Sequence, residues 1–419
     1  MAAAKDIIST LPDEILCHIL SFLQTKQSVA TSILSKRWNP LWLSVTTLYF
    51  QTEIADKEST LLFNDFVYSF LVSRNATLPI ETFHLQISYD SPLECPNSIA
   101  KWVKFVLQNG VKYFYFCISL GNGLPIFPAR IFSCKTLVFL KLMDFYMEEG
   151  YSSVQLPSLK TLHLDTIAFS KLQHFMVFLS SCPILESLLT RYVWFNSEES
   201  STCNEWKSFC LANLITADID FTECYFPLKV VHNVRSLTFG IHEVFYNDLI
   251  PTFHNLTQLK LLCKDCITWQ FLLEVLNHCP KLQKLDLDQG KVDDETWIRN
   301  FDKENWVDPY VVPQCFSLHL RTCNLLQFHG QPGEVILARY ILKNAKVLQN
   351  MTIWNSSKSE LHCLAIKRML SAYPWASSMC KLIVSPNKSS EDKEEVAGLS
   401  VARVDPLLRL LDFVNLLDQ

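Results

Sequence analysis

The stretch Leu156–Asp165, "LPSLKTLHLD", places apolar residues at Leu159, Leu162 and Leu164. The spacing is apolar-x-x-apolar-x-apolar. Side chains at alternate positions of a strand share one face, so Leu162 and Leu164 point into a core while Leu159 packs the incoming turn. Working outward, the same hexapeptide pattern recurs. It begins at Ile80 (IETFHL), Val111 (VKYFYF), Leu137 (LVFLKL), Leu159 (LKTLHL), Leu185 (LESLLT) and Leu214 (LITADI). It begins again at Val234 (VRSLTF), Leu256 (LTQLKL), Leu282 (LQKLDL), Cys315 (CFSLHL) and Leu348 (LQNMTI).

Successive starts are 20 to 33 residues apart. One unit alone leaves its apolar face in water, whereas stacked neighbours bury a shared core. In "FLSSCPILESL" and "LLEVLNHCPKLQKLDL" an outer helix is expected to end near Cys182 and Cys279, with Pro183 and Pro280 stopping it. The expected fold class is therefore α/β, an irregular solenoid of strand–helix repeats.

Composition bounds the rest. The chain has 419 residues, 49% hydrophobic and 19% charged, which is globular usage. A formal net charge of −5 and the lack of a Lys/Arg cluster argue against nucleic acid and against an anionic membrane surface as partners. The apolar run "YFYFCISLGNGLPIFPA" is broken by Gly121, Gly123, Pro125 and Pro128, so no membrane span is expected, and the N-terminus shows no signal-peptide core. The expectation is a soluble intracellular protein.

Fifteen cysteines, scattered singly through apolar segments, read as small buried hydrophobes in a reducing compartment. The "CKDC" pair, Cys263 and Cys266, lacks the further ligands a structural zinc site takes, so no metal and no cofactor are expected. Three polar breaks punctuate the repeats. They are a surface loop at Asn196–Trp206, a separator at Asp293–Trp306, and a solvated linker after Pro386 that leads to "VDPLLRLLDFVNLLDQ", whose apolar residues have helical spacing.

Ahead of the repeats, Leu11–Trp42 reads "LPDEILCHILSFLQTKQSVATSILSKRWNPLW". Pro12 opens a helix with Asp13 and Glu14 in its first turn, and Thr10 stands at capping-box spacing from Asp13. Ile15, Leu16, Ile19, Leu20 and Leu23 form a wide apolar stripe. A second helix carries Val29, Ala30, Ile33 and Leu34 and stops at Asn39 before Pro40. Trp38, Leu41 and Trp42 cluster at its end. Three short helices supply a marginal core, so some of this apolar surface needs a cover, in cis or in trans.

The Leu11–Trp42 segment closely resembles the F-box of plant F-box proteins, in its "LP-x-E-I-L" entry and its "TS-x-LSKRW-x-x-LW" exit. "LPSLKTLHLD" and "LSSCPILESL" resemble the leucine-rich repeats of the same family. Trp306–Val384, with "VPQCFSLHLRTC", "ARYILKNAKVLQNMTI" and "CKLIV", resembles its FBD domain. The resemblance implies a three-helix F-box at 1–47, a helical linker at 48–78 and leucine-rich repeats forming a horseshoe at 79–300. An FBD domain at 301–386 and a tail at 387–419 follow, and that tail runs on past the family's usual end.

It further implies a substrate receptor of an SCF-type cullin–RING ubiquitin ligase, in the nucleus or cytoplasm. It would bind a Skp-family adaptor, through it the cullin and RING subunits, and an unknown protein substrate bound for the proteasome. The adaptor-facing residues implied are Leu11, Pro12, Ile15, Leu16, Ile19, Leu20, Ile33, Leu34, Trp38 and Trp42. The alternative reading is a repeat scaffold without ligase assembly.

No nucleophile elbow, zinc-protease motif or phosphate loop is present, and with only 9 Gly the chain is poor in phosphate-cradling turns. A non-enzyme is expected, with no catalytic residues. Substrate-facing candidates lie between the inward positions of the repeat strands: His84, Tyr113, Tyr115, Phe139, Lys141, His163, Lys260, Asp286, His319, Arg321 and Trp354. Their aromatic and charged mix suits protein recognition. Lys141, Lys160, Lys260, Lys281 and Lys284 are too dispersed for the inositol phosphate that some plant relatives hold.

Overall fold

The computed structural model describes residues 8–90, 97–121, 123–127, 133–147, 154–196, 209–221, 226–241, 250–263, 269–288, 311–357 and 359–386. The sequence expectations for 197–206, 293–306 and 387–419 fall outside the described residues. Two compact units are present: residues 1–240 with 244–256, and residues 241–243 with 257–419.

The first unit opens with α1 (Asp13–Leu20) and α2 (Thr25–Ala30). Pro12 is the N-cap of α1 and supplies no side-chain cap; Thr10 sits in a preceding 3-10 turn. The second helix is shorter than expected. It gives way to 3-10 turns at Thr31–Ile33 and Leu41–Ser44, and the Thr31 hydroxyl donates back to the Ser28 carbonyl at 2.7 Å.

Strand β1 (Thr47–Ile54) and helix α3 (Lys57–Ser73) follow. The interval 48–78, expected as helical linker, thus begins with a strand of the sheet. Val45-x-x-Leu48-x-Phe50 carries the repeat spacing, and all three side chains are buried. Then come β2 (Thr82–Tyr89), α4 (Asn97–Gln108), β3 (Tyr113–Leu120), β4 (Phe139–Met147) and β5 (Thr161–Phe169). Helix α5 (Leu172–Ser180) leads to β6 (Ser187–Phe195), β7 (Thr216–Phe221) and β8 (Ser236–Ile241). The strands pair in chain order, all parallel, as an open sheet.

The second unit has β9 (Gln258–Cys263), α6 (Trp269–Asn277), β10 (Lys284–Asp288) and α7 (Gln314–Leu318). It continues with β11 (Thr322–Phe328), α8 (Pro332–Asn344), β12 (Asn350–Asn355), α9 (Glu360–Ser371) and β13 (Lys381–Pro386). These strands too are parallel and sequentially paired.

Why the hexapeptide spacing yields this is visible in the hydrogen bonds. The first apolar residue closes a tight turn: Leu159, Leu185, Leu214, Val234 and Leu282 each donate to the carbonyl three residues back. One carbonyl of each strand entry then accepts two successive N–H groups from the next. Lys112 serves Val138 and Phe139, Val138 serves Lys160 and Thr161, and Lys160 serves Glu186 and Ser187. The chain can only advance one strand per turn this way. Ile80, Phe83 and Leu85, or Leu159, Leu162 and Leu164, are then fully buried together.

One hexapeptide misleads. "CFSLHL" is the helix α7 with its flank, and not a strand; the Cys315 and Phe316 side chains of that helix are buried. Pro313 ends extended backbone and opens that helical turn. The strand of this repeat is β11, spaced Leu320-x-x-Cys323-x-Leu325, with a cysteine standing as the small apolar residue.

Candidate adaptor-docking and substrate faces

The N-terminal module has its own core. Leu16 (0% exposed), Leu20, Trp38 (7% exposed), Leu41 and Val45 cluster, with Leu11, Cys17, Ile19, Leu23 and Trp42 packed around them. Arg37 ties the ends: its guanidinium donates to Asp13 at 2.7 Å and to the Leu11 carbonyl. The Cys17 thiol points to the Leu41 carbonyl at 3.5 Å, and burial, reinforced by Asp13 and Glu14, raises its pKa. The module is fastened to the sheet, since the Thr25 hydroxyl accepts from the Tyr49 N–H at 2.8 Å. The Trp42 ring also lies 5.3 Å from that of Phe70 on α3.

The ten residues that the sequence singles out for an adaptor therefore separate. Leu16, Leu20 and Trp38 belong to the interior, because helices this short need every large apolar side chain they can enclose. Leu11, Ile15, Ile19 and Trp42 are half-buried, and Pro12 is exposed. Ile33 and Leu34 stand out in water at 86% and 64% exposure. Early termination of α2 turns them away from the core.

The open face of the first sheet carries a second constellation. Parallel register aligns Tyr49, His84, Tyr115, Lys141 and His163 across five adjacent strands, with Phe139 one step off the row. Ring centroids run 4.4 Å from Tyr49 to His84, 5.2 Å on to Tyr115, 4.7 Å to Phe139 and 5.0 Å to His163. Such pairs each add roughly 0.5–1.5 kcal/mol beyond area burial. Tyr113 stands exposed beside them.

Burial, with Lys141 nearby, lowers the His84 pKa to about 4. Burial, Lys141 and Arg191 lower that of His163 to about 4 as well. Both imidazoles are neutral at pH 7. His163 is only 8% exposed, and among the described residues its Nε2 has no hydrogen-bond partner. At the next level, the Cys117 thiol lies 3.6 Å from the Asp144 carboxylate, and burial with Asp144 pushes that thiol up to about 12.

Tyr49 and Arg191 were not among the sequence candidates. The repeat spacing starting at Val45 would have found Tyr49; Arg191 lies past the hexapeptide that was read.

In the second unit, Asp286 accepts from Asn324 at 2.7 Å and pairs with Lys284 at 3.0 Å, while Lys260 lies 3.7 Å from Asp288. Trp354 is half-buried on β12. His319 and Arg321 are not on a repeat strand: the first caps α7, and the second precedes β11 with its carbonyl receiving Gln349 and Asn350. Among the described residues no group of three or more His, Cys, Asp or Glu side chains is arranged to hold a metal ion. No described helix is long and apolar enough to cross a membrane.

A small apolar module with its own core stands at the head of parallel strand–helix repeats. Comparison with known families agrees. The F-box domain model matches residues 8–48. The leucine-rich-repeat model of the FBD-associated F-box protein At5g56370 matches 99–224, and the FBD model matches 308–353.

The F-box/FBD/LRR-repeat protein At4g00160 of Arabidopsis thaliana is 30% identical over 397 residues, covering 83% of this chain and 86% of that one. The F-box/FBD/LRR-repeat protein At4g26340 of the same plant is 29% identical over 90% of this chain and 99% of its own. This chain belongs to the F-box/FBD/LRR-repeat family.

Proposed function

We propose that the chain is the substrate-recognition subunit of an SCF-type ubiquitin ligase, docking a Skp-family adaptor through its F-box and a protein substrate through its repeats. F-box proteins with leucine-rich repeats are in general substrate receptors of this kind, and typically non-catalytic. In this reading residues 1–47 are the F-box, 48–78 join it to the repeats at 79–300, and 301–386 are the FBD domain. The thioester chemistry resides in a ubiquitin-conjugating enzyme. This chain contributes proximity, raising the effective concentration of a substrate lysine near that thioester.

The observation that carries the proposal is the exposure of Ile33 and Leu34 on a module whose core is already complete without them. Large aliphatic side chains held in water beside a finished core mark a surface kept for a partner. Pro12, Ile15 and Ile19 supply further accessible apolar surface.

The test is co-purification of the full chain with a Skp-family adaptor, comparing wild type with Ile33→Asp plus Leu34→Asp. Wild type is expected to retain the adaptor and the double variant to lose at least about tenfold in affinity, consistent with central interface residues. A wild-type chain that fails to bind, or a variant that binds equally well, overturns the proposal and leaves a repeat scaffold without ligase assembly. Because both positions are exposed, the unfolding free energy is expected to move by no more than about 0.5 kcal/mol.

A further inference from the structure

On β5 of the first unit, His163 lies between its register partners Lys141 of β4 and Leu189 of β6, with the Phe139 ring 5.0 Å away. Leu162 and Leu164 on either side of it turn into the core, so the imidazole belongs to the open face of the sheet. It is nevertheless buried, and among the described residues its Nε2 has no hydrogen-bond partner. A buried ring nitrogen in that condition is rare in folded proteins, because nothing offsets its loss of water.

The surroundings define what would satisfy it. Burial, then Lys141 and Arg191, keep the imidazole neutral, so both charges acting on it are positive. The carboxylates of the next level are engaged: Asp165 accepts from the Thr166 hydroxyl at 3.2 Å and Asp144 from the Cys117 thiol at 3.6 Å. A negatively charged group is attracted beside two cations, whereas a cation is repelled. From His163 the row of half-buried rings runs back across β4, β3 and β2 to Tyr49 on β1. Five neighbouring strands span about 19 Å, the reach of about six residues of extended chain. A free small anion would use the His163 end and leave the rings in water; a peptide with an acidic residue among apolar ones uses both.

We propose that this row recognises an extended, acidic segment of the substrate protein. An Asp or Glu carboxylate of that segment accepts from the His163 Nε2–H beside Lys141 and Arg191, while neighbouring aromatic or aliphatic residues cover the rings. The assignment deepens the reading of the chain as a substrate receptor and rests on it.

The probe is a random dodecapeptide library displayed on phage and panned on the full chain. Selected peptides are expected to carry Asp or Glu beside aromatic or aliphatic residues at least about threefold more often than unselected ones. A fluorescent synthetic copy of the most enriched peptide should bind Lys141→Glu plus Arg191→Glu at least about tenfold more weakly than wild type. Lys104→Ala, exposed on α4, should bind it as wild type does. His163→Phe keeps a ring and removes Nε2, so it should unfold no earlier on heating yet bind at least about fivefold more weakly. Selection without acidic enrichment overturns the proposal, as does a charge-reversed or His163→Phe variant that binds as tightly as wild type. Earlier unfolding of His163→Phe would show that Nε2 already serves the fold, and overturns it too. A phosphoserine copy that binds at least about tenfold tighter than the Asp or Glu original assigns the site to phosphate and overturns the carboxylate. Adaptor co-purification is scored apart: retained adaptor without acidic enrichment sinks this assignment alone, and acidic peptides held by a chain that retains no adaptor sink the ligase reading alone.

Discussion

Ile33 and Leu16 illustrate how far a residue's type is from its role. Both are large aliphatics of the N-terminal module, yet one is 86% exposed and the other fully buried. Periodicity marks which residues are apolar together; it does not mark where a short helix stops, and the stop after Ala30 decides which of them turn outward. Leu16→Ala is accordingly expected to cost about 2–5 kcal/mol in urea unfolding, whereas Ile33→Ala should lie within about 0.5 kcal/mol of wild type. Equal effects would reject the division between core and surface.

The histidines of the open face make a second residue-scale prediction. Above about pH 7.5 His84 and His163 are neutral in both folded and unfolded chains, and contribute almost no pH dependence. Between 6.5 and about 4 the unfolded chain takes up protons that the folded chain refuses, so stability falls as pH is lowered through that window. At pH 5 the loss is about 2 kcal/mol per histidine as an upper bound. The slope of unfolding free energy between pH 7 and 5 should be shallower in His163→Gln than in wild type. An unchanged slope would show that the imidazole is hydrated.

At the scale of elements, the repeat strands were legible because one spacing encodes two structural acts, a tight turn and a two-residue inward pair. Leu137-x-x-Leu140-x-Leu142 is buried at all three positions, as the pattern requires. The reading failed where the letters matched by other means. Cys315-x-x-Leu318-x-Leu320 satisfies the spacing on a helical turn, with Leu318 exposed, while the true strand hides behind Cys323.

What spacing could not reveal is the bend within strands β4, β5 and β6. Asp144, Thr166 and Tyr192 each have positive φ (63°, 54° and 49°) and stand at the same level of three adjacent strands. Pairing skips them: Met143 pairs with Asp165 and Phe145 with Ile167, and Asp165 pairs with Arg191 and Ile167 with Val193. An extra residue at one level in consecutive strands re-aims them all and keeps register. For a β-branched residue the left-handed region costs about 1–2 kcal/mol. Thr166→Gly relieves that strain but loses the Thr166–Asp165 hydrogen bond and adds the entropy cost of glycine, so the unfolding free energy is expected to stay within about 1 kcal/mol of wild type. Thr166→Val keeps the strain and loses the bond, and should lower it by at least about 1 kcal/mol. A glycine variant destabilised as much as the valine one would show that the left-handed backbone carries no strain here.

On the scale of the whole chain, the described strands within each unit pair with their sequence neighbours, so stability is built by increments along each unit. The order of F-box, leucine-rich repeats and FBD domain was legible because each carries its own spacing; the boundary between the two compact units is not, since it falls just after Leu256, inside a hexapeptide that looks like the one at Val234. Buried thiols report on each unit by itself. Cys182 in the first, and Cys279, Cys315 and Cys323 in the second, are fully buried, and burial raises every one of their pKa values, Cys182 and Cys315 to about 12. A thiolate-selective reagent meets neither accessible nor ionised sulfur until the surrounding repeats open. At pH 8 these four should label at least about a thousandfold more slowly than in the unfolded chain, with rates that climb as urea is added. Cys17, half-buried in the F-box, opens with that module alone and should label faster than the four. Added Skp-family adaptor should slow Cys17 and leave Cys182 and Cys323 unchanged. Labelling of Cys182 at the unfolded rate would mean that the first repeat core is not closed, and an adaptor that slows all sites equally would mean that it stabilises more than the F-box.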